Sequence, residues 1–76
     1  MNERKIKGRI LEYFATQADF AHAMGFTPAT LSKKMNGHVE WTRAEIEKAC
    51  TLLHIAAEET HAYFFANLSA FSHVNS

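Results

Sequence analysis

Three threonines constrain the fold of this chain more than any other feature. Thr16, Thr27 and Thr42 each stand where a hydroxyl can close the open end of a helix. The first backbone N–H groups of a helix have no partner within it, so a side-chain oxygen just before them marks a start. Thr16 is followed at the third position by Asp19, and Thr42 by Glu45, the spacing at which hydroxyl and carboxylate each take a backbone N–H. Thr27 precedes Pro28, whose missing N–H costs nothing at a first helical position. Phe26 and Leu31, like Trp41 and Ile46, stand at the positions of a hydrophobic staple across such a start. Stops are written as plainly. Gly25 ends the helix begun at Thr16, and Asn36 with Gly37 ends the one begun at Thr27, because glycine enters the left-handed region without a side-chain clash. Starts and stops this close together predict short helices on tight turns, and neither a β-hairpin signal nor a heptad run competes with them.

Helical periodicity supplies the remaining elements. Ile6, Ile10, Leu11 and Phe14 predict one buried face of a first helix, and Ile46, Ala49, Cys50 and Leu53 the inward face of a fourth. Glu58 and Glu59 suit the start of a fifth segment, whose Tyr63, Phe64, Phe65 and Leu68 are too apolar to be left exposed. The expected fold is all-α, a single compact domain of five helices over residues 1–68 with a short tail over 69–76. With 76 residues the chain holds one core at most. The longest apolar run, Ala62 to Ala66, is far too short for a bilayer, and nothing after Arg4, Lys5, Lys7 and Arg9 resembles an export signal. A soluble, cytoplasmic protein without membrane partners is expected. One cysteine, Cys50, makes no internal disulfide, which agrees with a reducing compartment.

A formal net charge of zero conceals an asymmetry. Through Asn36 the chain carries Arg4, Lys5, Lys7, Arg9, Lys33 and Lys34 against Glu3, Glu12 and Asp19; beyond it, Arg43 and Lys48 face Glu40, Glu45, Glu47, Glu58 and Glu59. The first part suits phosphate, and the second suits solvent or a basic protein. Catalysis finds little support. Gly8, Gly25 and Gly37 are isolated and cradle no phosphate, and no serine or cysteine lies in a nucleophile motif. Cys50 and His54 share a helical face, but a closed zinc site needs four ligands and no CxxC or HExxH supplies the rest. Neither an enzyme, a cofactor, a metal nor a small-molecule substrate is expected. Trp41 and the C-terminal aromatics read as core, and His22 as solvent-facing.

Function concentrates in the two short helices from Gln17 to Met35. A helix-turn-helix needs a small residue where the helices cross, a glycine in the turn and apolar residues that fix their angle; Ala21, Gly25, and Phe20, Met24, Phe26 and Leu31 fill those places. Gln17-x-x-Phe20-Ala21-x-x-Met24-Gly25-Phe26-Thr27, followed by Leu31-Ser32 and Asn36-Gly37, resembles the helix-turn-helix of the lambda repressor and Cro superfamily. Trp41-Thr42, Glu45-Ile46, Lys48-Ala49-Cys50, Leu52-Leu53 and His61 to Phe65 extend the likeness to small phage Cro-like repressors. The resemblance implies a five-helix, lambda-repressor-like domain, a role in a phage lysis or lysogeny switch and, as partners, double-stranded operator DNA and a second copy of the chain. By position it implies that Pro28, Ala29 and Lys33 face base edges. Gln17, Thr27, Thr30, Ser32, Lys34 and Asn36 would meet phosphate or further groove atoms, with His38 following. Lys33 suits guanine acceptors and Ala29 a thymine methyl, whereas Pro28 has no side-chain hydrogen bond to give. Such proteins also act as antirepressors on the phage repressor itself. Glu40, Glu45, Glu47, Glu58 and Glu59 are the candidate contacts for that alternative.

Overall fold

A computed structural model of the chain describes residues 1–65, and within them every regular element is helical. The order is α1 (Glu3–Tyr13), α2 (Gln17–Met24), α3 (Pro28–Met35), α4 (Arg43–Leu53), a 3-10 turn (Ala57–Glu59) and α5 (Thr60–Phe64). The expected domain end at 68, the tail over 69–76 and Leu68 lie outside the described residues. No helix among those described is long and apolar enough to cross a membrane.

The three threonines act locally as their spacing predicts. Thr16 Oγ1 accepts from Asp19 N–H, Thr27 Oγ1 from Thr30 N–H and Thr42 Oγ1 from Glu45 N–H, each at 3.1 Å. Glu45 completes its box by accepting from Thr42 N–H at 2.9 Å. Gly25 lies in the left-handed region at φ 83°, and Phe26 N–H reaches back to the Ala21 carbonyl at 2.8 Å, which spends the carbonyls left open at the end of α2. Only residues 25–27 connect α2 to α3.

Ile6, Ile10, Phe20, Ala21, Leu31, Ala49 and Leu53 are fully enclosed in one cluster drawn from α1 to α4, which Tyr63 and Phe64 of α5 close from below. Each large member contributes about 1.5–3 kcal/mol by leaving water. Leu11 departs from expectation, since 61% of it is exposed. At about 100° of rotation per residue it falls well off the narrow stripe formed by Ile6 and Ile10. Phe14 is half-buried beyond the end of α1, where it meets Phe20 edge to face at 5.3 Å.

The end of α4 shows a solution that sequence did not announce. His54 takes the left-handed cap at φ 55°, the only non-glycine among the described residues with positive φ. Arg9, on α1, caps what remains: Nε donates to the Leu53 carbonyl at 2.8 Å and Nη2 to the His54 carbonyl at 2.6 Å. Its guanidinium lies 5.3 Å from the Tyr13 ring, which in turn packs on His54 at 4.5 Å. Cation and open carbonyls attract each other there, and a planar fork spans two acceptors where a single ammonium serves one. Arg9→Lys therefore lowers stability by about 1–2 kcal/mol in urea unfolding despite conserving charge; unchanged stability would remove Arg9 from this role.

Candidate nucleic-acid interface

α3 is two-faced, and the division follows from its eight residues. Leu31, Lys34 and Met35 turn inward, while Pro28, Ala29, Ser32 and Lys33 are exposed, continued by Asn36 at the helix end. The exposed residues recur at i, i+1, i+4, i+5 and i+8, a stripe along one side of the helix. Thr27, at the cap, is exposed and Thr30 half-buried. Thr27 Oγ1 also donates to Thr30 Oγ1 at 3.0 Å, which commits its proton and leaves that of Thr30 available. Gln17 is half-buried at the first position of α2, and His38 is exposed in the turn after Gly37.

Lys34 belongs elsewhere. It was expected beside Lys33 on the outer face, yet only 6% of it is exposed. Its Nζ donates to Glu45 Oε1 at 2.9 Å and to the Glu40 carbonyl at 3.0 Å, and stands 5.3 Å from the Phe26 ring centroid. This corrects its assignment as an outward, phosphate-facing residue. Helical geometry carries the signal: Lys34 lies roughly 60° from the buried Leu31, whereas Lys33 lies nearly opposite it. Basic charge near the chain start is likewise partly spent. Arg9 is committed to α4 and Glu12, and Lys7 pairs with Glu3 at 3.3 Å, so α3 keeps one outward cation, Lys33.

The acidic candidates do not form one patch. Glu45 is held by Lys34 and by its own cap, a commitment that Thr42-x-x-Glu45 already encoded. Glu47 stands 3.9 Å from Arg43, and Glu59 Oε1 accepts from Ala56 N–H at 3.3 Å. Glu40 and Glu58 are exposed. Cys50 is half-buried with its sulfur 3.4 Å from Thr60 Oγ1 rather than on His54. Among the described residues no group of three or more His, Cys, Asp or Glu is arranged to hold a metal.

A family model described as a protein of unknown function, DUF739, matches residues 2–67. The chain belongs to that family. The matched span takes in every helix from α1 to α5, so the family is defined by this whole fold rather than by the α2–α3 pair alone. No curated protein and no solved structure matches the chain. The family description names no activity, so function must be argued from the geometry.

The Lys34 ammonium holds the Glu45 carboxyl below its ordinary value, with the Thr42 N–H adding to the effect. A depressed carboxyl contributes stability above its unfolded-state pKa and loses it as pH falls through the folded one. Chain stability should thus decline on acidification below the ordinary carboxylate range, and Glu45→Gln should flatten that decline. At neutral pH Glu45→Gln costs about 3 kcal/mol, because it strands a buried ammonium. Lys34→Met costs less, since it removes that charge and keeps the volume. Chemical unfolding across pH checks both; equal losses from the two variants would contradict the ion pair's assigned weight.

Proposed function

We propose that this protein is a small Cro-like transcriptional regulator that binds double-stranded DNA through a helix-turn-helix made of α2 and α3. The observation that carries the reading is the outer stripe of α3. Two short helices, each started by a threonine and joined by residues 25–27, leave Pro28, Ala29, Ser32, Lys33 and Asn36 outward on a helix whose opposite side is locked in the core. A helix held that firmly on one side and bare on the other is suited to insertion in the major groove, where it loses little freedom on binding.

Chemistry distributes the work. Lys33 offers its ammonium to guanine O6 and N7, Ala29 its methyl to a thymine methyl, and Asn36 its amide to adenine or to a phosphate. Ser32 and Thr30 supply hydroxyls, and Gln17 and His38 stand at the two ends of the motif for backbone contacts. Lys34 takes no part in this surface. It holds α3 in place from behind.

With one outward cation on the reading helix, phosphate attraction is modest, and affinity should fall with salt less steeply than for a protein making many phosphate contacts. Fluorescence anisotropy with duplex DNA from the gene's own upstream region should show saturable binding at low salt. Lys33→Ala should weaken binding to the preferred sequence by about 1–3 kcal/mol and lower the salt slope by about 1. No binding at low salt, or binding indifferent to Lys33→Ala in a variant that remains folded, rejects the proposal.

A further inference from the structure

A groove of about 410 Å³ opens beneath the loop that follows α3, and nothing in the DNA-binding reading uses it. Met35, Val39, Trp41, Ile46 and Phe64 supply apolar wall, and Glu40 stands at its edge. Its volume falls within the roughly 300–1,000 Å³ of sites that take a ligand, and its mixture of apolar wall and few polar groups is the usual one. Val39 is exposed although apolar, so hydrophobic surface continues from the groove to the outside.

Two polar features restrict what fits. The first is charge. Lys34 and Glu45, both at the groove, neutralise each other at 2.9 Å, whereas the exposed Glu40 carboxylate has no ion pair among the described residues. The local balance is one uncompensated negative charge, which repels an acidic ligand and favours a cation beside the apolar part. The second is Trp41, held edge to face between Phe26 at 6.0 Å and Phe64 at 5.2 Å. Its Nε1–H is enclosed and has no acceptor, an uncommon state for a buried donor. A small shift of the wall as a polypeptide seats would give that donor a carbonyl.

We infer that this groove is a docking site for a segment of a partner protein in which a large apolar side chain stands next to a lysine or arginine. The apolar side chain fills the space against Met35, Trp41 and Ile46, and the cation meets Glu40. The inference is independent of DNA binding, because it uses the opposite end of α3 from the Thr27 cap and none of its outward stripe before Asn36.

The chain's single tryptophan, Trp41, reports on the groove. Full-length protein is titrated with the peptide acetyl-Arg-Phe-Leu-Arg-amide and, separately, with acetyl-Glu-Phe-Leu-Glu-amide, following Trp41 emission and its indole N–H resonance. The basic peptide should shift both signals saturably and the acidic one should not. Glu40→Lys, which leaves the Glu40 carbonyl free to keep its bond from Lys34, should weaken the basic peptide about two- to fivefold or more. Three results overturn the inference: no shift with the basic peptide at about 1 mM, equal shifts with both peptides, or a response unaltered by Glu40→Lys. A Trp41 signal that changes on dilution of the protein alone assigns the groove to a second copy and overturns it as well.

Discussion

The ammonium of Lys34 is the constraint around which this small fold is arranged. A cation taken out of water is tolerated only if its charge and its N–H groups are answered locally. Glu45 and the Glu40 carbonyl answer them, and the Phe26 ring lines the remaining side. Those three partners belong to α4, to the loop after α3 and to the turn before α3. One side chain thus fixes the helix that bears it against its own approach, its own exit and the next helix. Because Glu45 also closes the start of α4 through Thr42, the same carboxylate that neutralises Lys34 sets where α4 begins.

Helix ends explain most of what is left. A domain this short has many ends for its length, and each end exposes backbone groups that need partners. Threonine hydroxyls close the starts of α2, α3 and α4, while Asn2 does so for α1 by accepting from Lys5 N–H at 3.1 Å. Stops are more varied. Gly25 finishes α2 unaided, and Lys48 Nζ lies 3.5 Å from the Met24 carbonyl at that same end. α4, lacking a glycine, depends on His54 in a left-handed conformation and on Arg9 from a distant helix. Charged side chains that look available in the sequence are in this way drawn into structural service, and the surface left for a ligand is less basic than the composition of the first half suggests.

That redistribution bears on function. An outward stripe with one lysine, two small polar residues and an apolar start is a sparse reading surface, whose discrimination depends on a few well-held contacts more than on general attraction to phosphate. Rigidity is then the main asset of α3, and it comes from the buried side: Leu31, Met35 and the Lys34 network. The groove beneath the following loop shares that network, so the same buried charges shape both the back of the reading helix and the wall of a second surface.

What the sequence determined by itself is the set of local decisions. Thr16, Thr27 and Thr42, Gly25, Pro28 and the Thr42-Glu45 box act within about three residues of themselves, and their helices start and stop accordingly, because capping compares only neighbouring backbone groups with water. The enclosed Ile6, Ile10, Phe20, Leu31 and Leu53 were legible from periodicity for the same reason. Tertiary structure alone decided which long side chains turned inward. Lys33 and Lys34 are identical in the sequence, and only packing against Phe26 and α4 separates an outward lysine from a buried one. Arg9 finds its carbonyls more than forty residues away, and Leu11 is left in solvent because the core closes on Ile6 and Ile10 without it. The DNA-facing stripe was therefore readable residue by residue except at Lys34, whose partner lies across the core, at a distance no local pattern measures.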